Sequence, residues 1–417
     1  MSLELRRGLM GRVGIPKDAI IVAERSENEA ALMDVIYAQG WSTSPKYMLQ
    51  SEAEKVTDIG TAFQSNTAIT DFSAFEYFTS VTQLKRNCFQ NTSALHTILL
   101  PISLTKITSY AFIGSGLTSI YFPKNIISIG NESFRDCYSL EKVQFDIECQ
   151  LSYLESTIFY NCSKLKEVIL SPSISTLSKR AFGLCSKLEK INLDKVITIG
   201  NMTFENNSNA SLYIDTMTSV KSIGEFAFSL CNLTHISIPD TCHTIGSRAF
   251  QNNRVTKSIH IGSAVNNMSL NSFFDVGRDG LESIKISEDN PTYDSRNGCN
   301  AIIETATNKL IKGCKNTIIP EGVEIICADA FYYLSRSKAT FDFPSTLSQF
   351  TGTPFPYTSV YTLIFRSQTP PTGTFSSSSS ISSIFVPDDS IELYKSATNF
   401  ANYIDKIKPL SEYETNL

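Results

Sequence analysis

The sequence predicts an α/β repeat solenoid, a stack of coils of about 23 residues with a curved parallel sheet and capped ends, and three observations predict it. Phe63, Phe89, Phe112, Phe134, Phe159, Phe182, Phe204, Phe228, Phe250 and Phe273 recur at separations of 26, 23, 22, 25, 23, 22, 24, 22 and 23 residues. The residues around them share the outline L-x-x-I-x-I-P…I-G-x-x-A/S-F. Leu233, Ile236, Ile238, Pro239, Ile245, Gly246, Ala249 and Phe250 carry it, and Leu117 to Phe134 follows it through Ile120, Phe122, Pro123, Ile129 and Gly130. Finally, 417 residues would divide a compact chain into two or three domains. A solenoid escapes that limit, because each coil buries its apolar face against its neighbours.

Each part of the unit has a physical reason. Leu, Ile and Ile at spacings of three and two form a short extended run with one face inward. Proline has no N–H for a sheet ladder and ends the strand, and the glycine is expected to supply a φ > 0 turn. The Ala-Phe pair opens a short helical or irregular side, where the ring fills the other edge of the coil. About a dozen such strands are expected, stacked at the ~4.8 Å strand spacing.

Along the chain, the opening Met1-Ser-Leu-Glu-Leu-Arg-Arg-Gly-Leu-Met10 is basic, and Gly11, Arg12, Gly14, Lys17 and Asp18 interrupt any apolar run. It therefore does not read as a Sec signal. A helix follows. Ser26-Glu-Asn-Glu29 forms a capping box, Gly40 takes the C′ position, and Leu32, Val35 and Ile36 share a face flanked by Ala31 and Ala38. Residues 1–55 are thus expected to be an N-terminal helical cap, with Trp41, the only tryptophan, at its junction with the first coil. Repeats fill 56–365 and include a hairpin insertion near 289–320. Residues 366–417 form a last repeat and a cap, in which the serine run 376–380 is a loop within the stack and Asp388-Asp389-Ser390 caps a final helix bearing Ile391, Tyr394 and Phe400.

With these residues in view, the chain resembles the BspA-like leucine-rich repeat family, typified by the Bacteroides surface antigen A, over residues 56 to 365. Asn290 to Glu304 followed by Thr307 to Pro320 looks like the hairpin insertion of those proteins, and Ile384 to Lys395 with Ile407-Lys-Pro-Leu410 resembles their C-terminal end. The resemblance implies adhesive binding at a cell surface. It does not fix a ligand, because repeat scaffolds serve many partners.

The chemistry-bearing residues read mostly as structure. Cys137, Cys162, Cys185 and Cys231 each lie three residues after a repeat phenylalanine, where Ser115 and Asn253 stand in other coils. Buried thiols are expected there, and also at Cys299 and Cys314 across the hairpin. No C-x-x-C spacing marks a metal site. His96 and His235 sit in the variable pair between inward Leu and Ile, as solvated residues of the sheet face. No G-x-S-x-G, H-E-x-x-H or G-x-x-x-x-G-K-S/T motif occurs. Around Asp294 an incipient calcium loop is spoiled by Arg296, which stands where an oxygen ligand belongs, and Asn297-Gly298 reads as a turn. The Asn-x-Ser/Thr triplets carry no weight. A net charge of −5 gives no basis for nucleic-acid binding, and no apolar run approaches the ~18 residues of a membrane span. No cofactor is expected.

The candidate binding surface is the exposed face of the strands: Thr118, Glu141, Lys142, Lys166, Glu167, Glu189, Lys190, Thr234, His235 and Glu282, with Ser119 and Ser283 beside them. Three adjacent coils carry a Glu-Lys or Lys-Glu pair there, which serves either as a recognition face or as a solvated ladder of ion pairs. The expected function is a non-enzymatic interaction protein binding protein or glycan. The broken opening favours a recognition or decoration protein of a phage virion, with a bacterial surface or secreted adhesin as the alternative. The oligomeric state stays open.

Overall fold

The computed structural model describes residues 15–208, 212, 214, 216–278, 280–334, 339–375 and 381–415. The opening 1–14 and the serine run 376–380, on which two of the expectations fall, lie outside the described residues. The chain is a parallel β-solenoid of about 14 turns of about 23 residues. It divides into two compact units, Met1–Ala210 and Ser211–Leu417.

In the first unit, the L-x-x-I-x-I segments form the parallel strands Ser119–Phe122, Lys142–Phe145, Glu167–Ile169 and Lys190–Ile191. Pro123 ends its strand, as expected. The repeat phenylalanines stack into one buried column. Rings 63, 89, 112, 134, 159, 182 and 204 lie 5.4, 5.0, 4.9, 5.5, 5.5 and 5.7 Å apart between centroids. The A/S position before each ring is closely fitted. Ala111 and Ala181 are fully buried, and where the residue is Ser133 or Thr203 its hydroxyl folds back onto the carbonyl of Gly130 or Gly200.

Three features depart from the sequence reading. The I-G segment forms a second parallel sheet of two-residue strands, such as Tyr153–Leu154, Thr176–Leu177 and Thr198–Ile199; runs this short have no periodicity to read. Gly130, Gly200 and Gly246 of the I-G pairs do not have positive φ. They are required because a Cβ on Gly130, Gly200 or Gly246 would lie 2.5 to 2.8 Å from an atom of the preceding coil's backbone. The left-handed conformations belong to the residues two before and two after the rings, such as Glu132 and Asp136 around Phe134 or Thr157 and Asn161 around Phe159. The irregular side is therefore a run of turns rather than a helix. Phe89, Phe112, Phe134, Phe159 and Phe182 donate their N–H groups to Ala111, Ser133, Ile158, Ala181 and Thr203 of the next coil, and the left-handed residues donate alongside them, as Asp136 does to Tyr160 and Asn161 to Gly183. These bonds offset the backbone strain, of order 1 kcal/mol per site.

The N-terminal segment holds more than a helix, because Ala19–Val22 pairs antiparallel with Tyr47–Leu49. The helix is Glu27–Ala38, and Ser26 accepts the Glu29 N–H at its start. Gly40 at φ +69 closes it, with Gly40 N–H on Tyr37 and Trp41 N–H on Ile36, a Schellman ending. Its buried residues are Leu32, Met33 and Ile36. Val35 is only half-buried and Ala38 is exposed, while Met33 is buried. Trp41 meets Phe63 and Phe78 at 6.0 and 6.4 Å, at the expected junction.

A helix residue also closes the edge of the stack. The Asn28 carboxamide accepts the N–H groups of Thr70 (2.7 Å) and Asp71 (2.9 Å) and donates to the Asp71 carbonyl at 2.9 Å, imitating a neighbouring strand beside Asp71–Phe72. Asn28→Ala is expected to cost about 1 kcal/mol and to speed hydrogen exchange at the Thr70 and Asp71 amides; unchanged protection at both would contradict this capping role.

In the second unit, His235–Ile238, Ser258–Ile261 and Ser283–Ile286 form the first sheet, and Phe228, Phe250 and Phe273 stack at 5.4 Å. The hairpin insertion is present as the antiparallel strands Ala301–Glu304 and Lys309–Gly313. Beyond it, Ala339–Phe343, Val360–Phe365, Ser383–Val386 and Ile407–Pro409 run parallel over a core containing Phe355, Phe375, Tyr394 and Phe400. The helix Ile391–Ser396 has no side-chain cap, contrary to expectation. Asp388 instead accepts the Ser411 N–H at the start of the last helix, Leu410–Glu414, and Ser390 is buried and bonded to Gln368.

Candidate functional site

The parallel register of the first unit sorts its sheet face into two columns. Residues 141, 166 and 189 read Glu, Lys, Glu, and residues 142, 167 and 190 read Lys, Glu, Lys, so opposite charges alternate both along and across the strands. Glu141 pairs with Lys166 at 2.8 Å and Lys142 with Glu167 at 2.8 Å. The hydrogen bonds from Lys166 and Lys142 hold the carboxyls of Glu141 and Glu167 below their ordinary range. Thr118 stands at the same face, its hydroxyl on the His96 carbonyl. The structure thus brings Thr118, Glu141, Lys142, Lys166, Glu167, Glu189 and Lys190 together on one unit.

Thr234, His235 and Glu282 belong to the second unit. Thr234 and His235 are exposed, and the His235 ring lies 2.8 Å from the Ser258 hydroxyl. Glu282 is engaged by the segment after the hairpin, with Lys315 at 2.8 Å on its carboxylate and the Asn316 amide on its carbonyl.

The other chemistry-bearing residues have structural work. All ten cysteines are buried thiols. Those three residues after the rings point back to the preceding coil: Cys137, Cys162 and Cys185 lie 3.1 to 3.2 Å from the carbonyls of Phe112, Phe134 and Phe159. Asn253 serves Phe228 in the same way at 2.8 Å, so the position selects a small donor rather than sulfur. Burial pushes the Cys185 thiol up to about 12, far from a reactive thiolate. Cys299 lies beside the Ser295 hydroxyl, and Cys314 faces the Glu282 carbonyl. Arg296 occupies the incipient calcium loop and grips Asp294 through Nε (2.8 Å) and Nη2 (2.6 Å). Among the described residues no group of three His, Cys, Asp or Glu side chains could hold a metal ion, and no helix is long and apolar enough to cross a membrane.

One cluster in the second unit was not anticipated. Asp275, 3% exposed, holds Arg278 through both carboxylate oxygens at 3.0 Å and Arg254 at 3.2 Å. The Arg278 guanidinium lies 3.8 Å over the Tyr333 ring, and Tyr333, Tyr332 and Tyr357 stand 5.4 to 6.0 Å apart. The sequence signal lay in the second position after the rings at 331 and 355, where Tyr333 and Tyr357 stand in place of the more frequent asparagine or aspartate.

Lys312 is buried behind this cluster at 4% exposure. Burial lowers its ammonium to about 8, against the opposing charges of Asp275 and Asp329. A folded state that releases its proton near 8, when the unfolded chain holds it to about 10.4, binds fewer protons across that window. Stability is therefore expected to rise from pH 8 to 10.4. Lys312→Met should abolish that rise and stabilise the protein by roughly 2 kcal/mol at pH 7, both measurable by denaturant titration at the two pH values.

The family profile described as BspA type leucine rich repeat region matches in six copies over residues 82–211, 198–308 and 302–414. No curated protein matches the chain. Among solved structures, a leucine-rich repeat protein from Bacteroides ovatus is 22% identical with a TM-score of 0.53, over 87% of this chain and 85% of that one. This likeness shows the same fold. A leucine rich cell surface protein from Faecalibacterium prausnitzii is also 22% identical, over 54% of this chain and 65% of that one, with a TM-score of 0.33.

Proposed function

Because the chain belongs to the BspA-type leucine-rich repeat family, we propose that it is a non-enzymatic interaction protein whose first sheet face binds protein or glycan on a cell surface. The observation that carries this reading is the alternating charge on residues 141–142, 166–167 and 189–190. It is an ordered pattern of donors and acceptors on a rigid surface, at the ~4.8 Å repeat of the strands. Such a surface discriminates partners by charge register more than it gains affinity from any one pair. The motifs of hydrolases, zinc proteases and nucleotide-binding loops are missing from the sequence, which supports a binding role over catalysis.

For location, family membership supports a bacterial surface. A phage virion is the second reading. Fractionation of the native source tests both. Recovery with the cell envelope supports the adhesin, recovery with virus-like particles supports the virion protein, and recovery only in the cytosolic fraction overturns both. The face itself is tested by reversing its pattern with Lys142→Glu and Lys166→Glu. Binding to intact cells should fall at least tenfold with the thermal midpoint little changed, whereas undiminished binding would remove the sheet face from recognition.

A further inference from the structure

We propose that Tyr332, Tyr333 and Tyr357, together with Arg254 and Arg278, form a second binding site, and that its ligand is an acidic saccharide, a glycan bearing a carboxylate. The site lies on the turn side of the second unit and does not depend on the reading given for the sheet face of the first.

The tyrosines are the first argument. Tyr333 and Tyr357 stand where Asn91, Asn161 and Asn252 carry short polar side chains in other coils, and share the left-handed backbone of that position, with φ of 53° and 57°. The Tyr357 side chain is 75% exposed, so core packing does not account for an aromatic ring there. The three rings are inclined to one another by 32°, 44° and 75°, which makes a faceted apolar surface suited to the C–H face of a pyranose. A flat hydrophobic side chain would instead favour coplanar rings.

Charge is the second argument. Asp275 balances only one of the two guanidiniums it holds, and it fixes both in place through its buried carboxylate. Behind it the ammonium of Lys312 has no ion-pair partner among the described residues. With Asp329 counted, Arg254, Arg278, Lys312 and Asp275 leave one excess positive charge among these described side chains. Arg254, half exposed, leaves its terminal nitrogens to meet a carboxylate in the paired geometry guanidinium favours. A neutral sugar would use the rings and ignore this charge; an acidic one uses both.

The test is calorimetric titration of the full chain with oligogalacturonate, sialyllactose, and galacto-oligosaccharides of matching length as the neutral control. Saturable binding of an acidic glycan is expected, at least tenfold tighter than the neutral control and weakened by salt. Tyr357→Ala and Arg254→Gln should each weaken it at least tenfold. Both side chains are solvent-exposed, and an unchanged thermal midpoint checks that the fold is intact. The paired sheet-face variant, Lys142→Glu with Lys166→Glu, should bind the sugar as the wild type does. Equal binding of neutral and acidic sugars overturns the carboxylate assignment, and loss in the sheet-face variant alone moves the ligand to the other surface. If no probe glycan binds while a tyrosine-dependent contact to a protein partner is found, the site is a protein interface and the proposal fails.

Discussion

Phe159→Ala is expected to lower the stability of the protein by about 3–5 kcal/mol. The ring is fully buried and stacked on both faces, 5.5 Å from Phe134 and 5.5 Å from Phe182, with Phe122 edge-on at 6.4 Å. Truncation removes two stacked pairs, each worth roughly 0.5–1.5 kcal/mol beyond its buried area. It also leaves a cavity between coils that hydrogen bonds hold in place. Because each coil is stabilised by its immediate neighbours, the loss falls on two interfaces at once. Denaturant unfolding followed by tyrosine fluorescence would measure it, and a loss below about 1.5 kcal/mol would show that the column of rings is not what holds the coils together.

Gly246→Ala is expected to cost about 3 kcal/mol, at the upper end of overpacking. An added Cβ would meet the Glu225 nitrogen at 2.6 Å, the Gly224 carbonyl carbon at 2.7 Å and the Glu225 Cα at 3.0 Å, all backbone atoms that cannot rotate away. Gly183→Ala is the control, since the nearest atoms to its Cβ would be side-chain ones, the ring of Tyr160 at 3.1 Å and the Arg180 Cβ at 3.6 Å. Asparagine separates the two accounts of this glycine. If left-handed φ were the requirement, Gly246→Asn would be milder than Gly246→Ala, whereas a steric requirement makes it at least as damaging. Thermal midpoints of the three variants decide the matter.

The coil was legible because phenylalanine, leucine and isoleucine recur at intervals set by burial, and burial is what a repeated pattern reports. The Schellman ending at Gly40 was legible for a related reason, since turn chemistry is local, whereas the hairpin around residues 301–313 was legible only through the family resemblance. The second sheet was hidden because a two-residue strand such as Thr198–Ile199 is shorter than any period. The role of the I-G glycines was hidden because the atoms that exclude a side chain belong to the preceding coil. Asn28 reads as an unremarkable helix residue, and its partners lie more than 40 positions away. Of the candidate surface, the charge pairs of the first unit could be placed on one face from the repeat alone. The cluster around Asp275 could not, because Arg254, Arg278 and Tyr357 come from separate coils and meet only when those coils stack.

The backbone hydrogen bonds that join the turns around the rings to the next coil run one way. Phe112 donates its N–H to Ser133 of the next coil, while the carbonyl of the same peptide group, on Ala111, accepts from Phe89 of the coil before. Peptide groups that alternate across a sheet cancel one another's dipoles. Here they align from coil to coil, as they do along a helix axis. In the first unit that edge therefore has electrical polarity, with its positive end toward the later coils, and an anion approaching the turns experiences a field that the two sheets do not produce.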